Sequence, residues 1–115
     1  MTYKDDFQEC IIACQECATA CTQCALACLH EEAVQEMTRC IELNMECAAV
    51  CRSAAELMTL DSESAQRMCQ ICMDVCNRCA DECDQHADME HCQECADECR
   101  NCAEACEKMA TVGVH

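Results

Sequence analysis

The feature that most constrains this chain is a run of cysteines between positions 10 and 28. Six cysteines in this run are separated by 4, 3, 4, 3 and 4 residues. This spacing returns to one face of an α-helix, because residues three and four apart are neighbours on the helix surface. Leu or Ile usually occupies such a face, so the sequence predicts a helix whose buried stripe consists of thiols.

The composition favours an all-α fold. The chain has 115 residues, no Pro, a single Gly and only 2% aromatic residues. Strands depend on β-branched and aromatic side chains, whereas Ala, Glu, Gln and Met favour helices. The length suits one domain, so we expect a single domain over residues 1–115.

Four stripes of this kind predict four helices with short connections, over residues 3–30, 33–60, 62–85 and 89–110. The stripe of the first helix loses phase beyond Cys28, which predicts a turn near residues 30–34. Asp61 or Ser62 is the expected N-cap of the third helix, and Asp88 that of the fourth. Helices of this length with one buried stripe each predict an antiparallel up-down four-helix bundle with a cysteine-lined core.

The cysteines are arranged for metal binding rather than for disulfides. Nineteen is an odd number, and cysteines four apart on a helix have nearly parallel Cα–Cβ bonds. Their Cβ atoms lie ~5–6 Å apart, so two thiolates can converge on one metal ion. Eight pairs have the form Cys-x-x-x-Cys: 10/14, 17/21, 24/28, 47/51, 72/76, 79/83, 95/99 and 102/106.

A continuous ladder of thiolates favours Cu(I), which takes two or three soft ligands and shares bridging sulfurs. Zinc usually has closed sets of four ligands, and iron–sulfur clusters use Cys-x-x-Cys runs that wrap around the cluster. Both metals remain alternatives at this point. The predicted ligands are Cys10, Cys14, Cys17, Cys21, Cys24, Cys28, Cys40, Cys47, Cys51, Cys69, Cys72, Cys76, Cys79, Cys83, Cys92, Cys95, Cys99, Cys102 and Cys106.

The second helix has only three cysteines, and Asn44 occupies a stripe position. A buried Asn often fixes helix register, and its carbonyl oxygen could also be a weak copper ligand. Both interpretations of Asn44 remain open from the sequence.

The two ends of the predicted bundle differ in chemistry. One end, which we call the plug, collects apolar residues: Phe7, Leu57, Met58, Ala65, Met68 and Met109. The opposite end, which we call the mouth, collects His30, Met37, His86, Met89 and His91 beside Cys28, Cys83 and Cys92. Imidazole and thioether groups can pass Cu(I) to thiolates, so His86, His91 and Met89 are predicted entry ligands.

The formal net charge of −16 disfavours binding to nucleic acid and to anionic membrane surfaces. We expect no membrane-spanning helix, and no apolar run that approaches the ~20 residues that such a helix needs. The N-terminal residues do not resemble a signal peptide, so we expect a cytoplasmic protein, where thiols stay reduced.

The chain resembles the bacterial copper storage proteins of the cytosolic type. The resemblance rests on the cysteine stripes, the segments at residues 24–29, 40–51 and 69–76, and the His-rich connection before Cys92. It implies a four-helix bundle that forms a homotetramer and stores many Cu(I) ions, received from a donor such as a copper chaperone, without catalysis. An iron–sulfur electron carrier and a thiol redox protein are the alternative functions.

Overall fold

Four α-helices form the described chain. The computed structural model describes residues 2–110, with side chains described from residue 7 onward. The helices are α1 (Thr2–Leu29), α2 (Thr38–Thr59), α3 (Ala65–Asp84) and α4 (Glu90–Ala110), and a 3-10 turn (Val34–Met37) precedes α2. The described residues contain no strand, as the composition predicts.

The helices pack as an antiparallel bundle. Helix α1 packs against α2 and α4, and α3 packs against the same two helices, so α1 and α3 lie on one diagonal. Short connections join helices that run in opposite directions, and the molecule measures 49 × 22 × 17 Å. The predicted up-down four-helix bundle is therefore confirmed.

The start of the second helix was predicted one turn too early. Residues Val34–Met37 form a 3-10 turn, and the α-helix begins at Thr38. Met37 ends the 3-10 turn with φ −98° and ψ 2°, outside the α-helical region. Its side chain is nevertheless buried, so the tighter turn places Met37 in the core before the α-helix starts.

The predicted N-cap of the third helix was wrong, because Asp61 belongs to the C-cap of α2 instead. Asp61 has φ 54°, in the left-handed region, and the Ser62 N–H donates to the Leu57 carbonyl at 3.0 Å. This is the hydrogen bond of a Schellman C-cap. Helix α3 begins at Ala65 after Ser64, which makes no side-chain capping bond. Ser62 Oγ accepts only the Ser64 N–H, within the turn.

The fourth helix also begins later than predicted. Glu90 is its first residue, so Met89 rather than Asp88 directly precedes it. The Met89 N–H donates to the His86 carbonyl at 3.0 Å, which closes a turn ahead of the helix. The residues at the mouth are therefore held in a structured connection.

All nineteen cysteines are free thiols, and every one is buried. They belong to one continuous core, together with the predicted stripe residues Ala54, Ala65 and Asn44. Small alanines beside the stripes let the helices approach closely. The prediction of a bundle core consisting mainly of sulfur is confirmed.

Helix α1 is more apolar than expected. The segment Phe7–Leu29 has 23 residues and mean hydropathy 1.2, so by length and composition alone it could cross a membrane. The expectation that no apolar run approaches this length was wrong, because Cys and Ala count as apolar residues. A core helix of a bundle meets the same criterion, and α1 packs against α2 and α4 through its cysteine stripe.

Candidate metal centre

Sulfur atoms from all four helices meet along the bundle axis. Near the plug, Cys106 Sγ lies 3.7 Å from both Cys10 Sγ and Cys14 Sγ. Cys102 Sγ lies 3.6 Å from Cys14 Sγ, so the contacts continue toward the centre. Each of these contacts joins α1 to α4.

The central contacts connect α1 to α4, and α2 to both α3 and α4. Cys99 on α4 reaches two sulfurs of α1, and the cysteines of α2 reach those of α3 and α4. The shortest distances are 3.6 Å for Cys21–Cys99, 3.6 Å for Cys47–Cys76, 3.6 Å for Cys51–Cys72 and 3.7 Å for Cys17–Cys99. The central sulfurs are therefore spaced as a network rather than as separate pairs.

Groups of four thiols lie close enough to hold a metal ion. In each group the Sγ atoms lie within 4.8 Å of one another and all four residues are buried. Several groups share members, so a sulfur in two groups can bridge two ions. They include Cys14/Cys72/Cys102/Cys106, Cys17/Cys21/Cys47/Cys99, Cys17/Cys47/Cys51/Cys76, Cys21/Cys79/Cys95/Cys99 and Cys24/Cys28/Cys40/Cys92.

Asn44 lies fully buried among the thiols and connects three helices. Its Oδ1 accepts hydrogen bonds from the Cys79 thiol at 3.2 Å and the Cys95 thiol at 3.3 Å. Its Nδ2 donates to Cys40 Sγ at 3.7 Å. Its oxygen therefore points at sulfur atoms, a position compatible with both interpretations of Asn44.

At the mouth, the ring of His91 contacts sulfur atoms. Its Nδ1 lies 3.5 Å from Cys24 Sγ, 3.6 Å from Cys92 Sγ and 4.0 Å from Cys28 Sγ. Its Nε2 lies 3.0 Å from Glu31 Oε2. The ring thus lies between the outermost thiols and a carboxylate at the surface.

The other predicted mouth residues have different surroundings. His86 is half-buried, and its Nε2 lies 3.0 Å from Glu82 Oε2 on the same helix. Met89 is half-buried against the core, whereas His30 is exposed. Met37 is buried. The structure therefore brings His91 directly to the cysteines, whereas His86 contacts Glu82 and Met89 packs against the core.

Burial is the largest cause of the pKa shifts of two thiols at the mouth. It raises the pKa of the Cys28 thiol to about 11 and raises that of Cys92 as well. Burial alone would lower the pKa of His91, but hydrogen bonds to Cys24 and Glu31 outweigh it and raise that pKa above its ordinary value. At neutral pH these mouth thiols are protonated, and a soft cation must displace their protons.

The opposite end is closed by apolar side chains, as predicted. Phe7, Met58 and Met109 are buried there, and Leu57 and Met68 are partly buried against the core. The Cys69 thiol donates to Met58 Sδ at 3.7 Å, so the sulfur contacts of the core continue to a thioether at this end.

Comparison with known proteins identifies the family. The family model "Csp: Copper storage protein" matches residues 3–111. The chain belongs to the copper storage protein family. The uncharacterised cysteine-rich protein YhjQ of Bacillus subtilis is 42% identical over 84 residues, which is 73% of this chain and 77% of that protein.

Solved structures of copper storage proteins match the whole bundle. A cytosolic copper storage protein from Streptomyces lividans, with five coppers, is 39% identical with a TM-score of 0.92, covering 96% of each chain. The Cu(I)-bound copper storage protein BsCsp3 is 41% identical with a TM-score of 0.87, covering 91% of this chain and 98% of that chain. The resemblance noted in the sequence is confirmed.

One residue at the mouth, Glu31, was not predicted from the sequence. It contacts His91, which lies 60 residues away in the sequence. A signal was present, because Glu31 follows Cys28 by three residues and so continues the cysteine stripe of α1. A carboxylate on an extended thiol stripe marks the point where the stripe meets solvent.

Proposed function

We propose that this chain stores Cu(I) reversibly and at high capacity inside the bundle. The observation that carries the proposal is the buried network of thiols from four helices, whose neighbouring Sγ atoms lie 3.6–4.0 Å apart. Membership of the copper storage protein family supports the same function. The relatives described above with bound copper support Cu(I) as the stored ion.

The overlap of the thiol groups favours Cu(I) over zinc. Cys17 and Cys47 each belong to two groups of four, and so do Cys21 and Cys99. Cu(I) readily shares bridging thiolates, whereas structural zinc uses closed sets of four ligands. If each ion takes two thiolates and each thiolate bridges two ions, capacity approaches roughly one ion per cysteine.

We propose all nineteen cysteines as ligands, with four further residues in smaller roles. The position of Asn44 Oδ1, 3.2 Å from Cys79 Sγ, supports a weak oxygen ligand beside the thiolates. The contacts of His91 Nδ1 with three thiols support an entry ligand. His86 and Met89 are proposed to assist entry from the same end of the bundle.

Storage of this kind involves no turnover, and we propose no catalytic residue. Copper would come from a donor in the cytoplasm, such as a copper chaperone, a location supported by the cytosolic relative from Streptomyces lividans. A single storage domain over residues 1–115 is proposed. A homotetramer, which the family resemblance implies, is also proposed, and the exposed Ile12, Leu26, Leu29 and Met45 support an interface on α1 and α2. Sedimentation equilibrium of the metal-free and loaded chain tests the assembly.

An anaerobic Cu(I) titration against a competing chelator, with metal analysis of the purified chain, tests the function. We expect tight binding of many ions per chain and a colourless product. A brown protein containing iron and sulfide would instead support an iron–sulfur carrier. Binding of only one or two copper ions would contradict storage.

Entry at the mouth has its own test. Replacing His86, Met89 and His91 together with Ala should slow loading and release, while the final capacity stays nearly the same. The matched control replaces His30, which is exposed at the same end, with Ala. Unchanged loading and release rates in the triple variant would contradict entry through these residues.

A further inference from the structure

The two ring nitrogens of His91 have different partners, and this fixes their roles. Nε2 lies 3.0 Å from Glu31 Oε2, while Nδ1 lies 3.5 Å from Cys24 Sγ and 3.6 Å from Cys92 Sγ. An ionised carboxylate only accepts hydrogen bonds, so Nε2 carries a hydrogen and donates it to Glu31. In the neutral ring, Nδ1 then presents its lone pair to the thiols.

Glu31 belongs to a hydrogen-bonded turn beside the thiols of the mouth. It lies in the connection after α1, where its backbone N–H donates to the Cys28 carbonyl at 3.2 Å. The turn that carries the carboxylate therefore also carries one of the thiols that His91 faces. His91 lies in the first turn of α4, next to Cys92, so the contact joins two separate parts of the mouth.

We infer that Glu31 is a positioning residue that holds His91 with Nδ1 toward Cys24 and Cys92, so that Nδ1 passes Cu(I) to these thiols. The inference rests on the proposed storage function. A carboxylate hydrogen-bonded to one imidazole nitrogen fixes the tautomer and the ring orientation, and makes the other nitrogen a stronger ligand. Without Glu31 the ring can rotate, and either nitrogen can face solvent.

The second imidazole–carboxylate pair at the mouth is built differently. His86 and Glu82 are four residues apart, and their contact of 3.0 Å closes at the end of α3. The His86–Glu82 pair joins two residues at the end of one helix. The Glu31–His91 pair instead joins the connection after α1 to the start of α4, across the mouth. Only the Glu31–His91 pair places the opposite nitrogen within 3.6 Å of thiols on two helices.

The kinetic test measures transfer of Cu(I) from a coloured chelator complex to the metal-free chain by stopped flow. We expect Glu31→Ala to slow the first equivalents by about tenfold, the size typical of losing an outer-shell partner. Glu31→Gln should recover most of the rate, because its amide oxygen still accepts from Nε2. Glu32→Ala, which removes the same charge from the exposed neighbouring residue, should leave the rate unchanged.

The spectroscopic test begins with the parent chain. In the metal-free parent chain with ¹⁵N-labelled histidine, at a pH above the raised pKa of His91, the ring should be the tautomer protonated at Nε2. In Glu31→Ala the two tautomers should mix, with helix content by circular dichroism unchanged. If Glu31→Ala does not fold, the tautomer of His91 in the parent chain and the loading rate of Glu31→Gln test the inference.

Three results would overturn the inference. One is an Nδ1-protonated His91 in the parent chain, and another is equal slowing by Glu31→Ala and Glu32→Ala. The third is further slowing when Glu31→Ala is added to His91→Ala, because a positioning residue has no effect once its ring is absent. Failure of the storage function would appear differently, as a parent chain that does not bind copper in quantity.

Discussion

The side-chain oxygen of Asn44 accepts a hydrogen bond from the Cys79 thiol at 3.2 Å. The same oxygen accepts from Cys95 at 3.3 Å, so one buried amide joins α2 to α3 and α4. We expect Asn44→Ala to lower the free energy of unfolding of the metal-free chain by about 1–3 kcal/mol, because the thiols lose their acceptor and a void forms. Denaturant unfolding under reducing conditions measures this.

The matched control for Asn44 is the same substitution at an exposed helical position. Asn101 lies on α4 and is exposed. Asn101→Ala should change the free energy of unfolding by less than about 0.5 kcal/mol. Equal effects of the two substitutions would mean that the buried amide has no structural role.

Cys99 has more sulfur neighbours than the cysteines at the plug. Its Sγ lies 3.6 Å from Cys21, 3.7 Å from Cys17 and 4.0 Å from both Cys47 and Cys95. A bridging thiolate serves more than one ion, so Cys99→Ala should reduce capacity by roughly two coppers per chain. The endpoint of a Cu(I) titration measures the loss.

Cys69 is the comparison for Cys99. Its thiol donates to Met58 Sδ at the closed end of the bundle. Cys69→Ala should therefore reduce capacity by about one copper, since fewer ions share this sulfur. The same loss from both variants would contradict a network of bridging thiolates.

The helices and the buried stripes could be predicted from the sequence because their geometry leaves little choice. A spacing of three and four residues allows only one face of a helix to carry Cys10, Cys14 and Cys17. When every helix has one such face, packing them together requires the thiols to point inward. The cysteine-lined core could therefore be predicted without knowledge of any tertiary contact.

The connections could not be predicted in the same way. Asp61 adopts φ 54° in the C-cap of α2, although its side chain is equally typical of an N-cap. The cysteine stripe places Glu31 at the mouth, but its contact with His91 joins residues distant in sequence and leaves no local pattern. These features depend on how two helix ends meet, which periodicity does not describe.

Copper binding at the mouth should release protons and strengthen as the pH rises. Burial raises the pKa of Cys28 to about 11, so this thiol is protonated throughout the physiological range. Cu(I) must displace the proton, and apparent affinity should rise by up to about tenfold per pH unit for each thiol displaced, until the pH reaches the pKa. Chelator competition at several pH values, using a chelator that does not titrate there, measures the slope.

Proton release gives a second measurement of the same property. Loading in a weakly buffered solution with a pH indicator should release about one proton for each thiol that becomes a ligand. An affinity that does not change with pH, together with little proton release, would mean that the mouth thiols are already ionised.

Glu98 is a half-buried carboxylate that should destabilise the bundle at neutral pH. Burial, and secondarily the negative charge of Glu16, raise the pKa of Glu98. A raised pKa in the folded chain means that the protonated form is favoured by folding. Its contribution to stability is therefore greatest below the ordinary pKa of a glutamate, and it declines as the pH rises through the folded pKa.

The substitution Glu98→Gln should consequently raise the melting temperature of the metal-free chain at neutral pH. The difference from the parent should disappear in acid, where Glu98 is protonated in both the folded and the unfolded chain. Because the chain has a net charge of −16, removing any carboxylate also reduces repulsion. Glu94→Gln, at an exposed position on the same helix, removes the same charge and should raise the melting temperature less. Equal rises in melting temperature from the two variants would mean that the effect comes from net charge and not from the burial of Glu98.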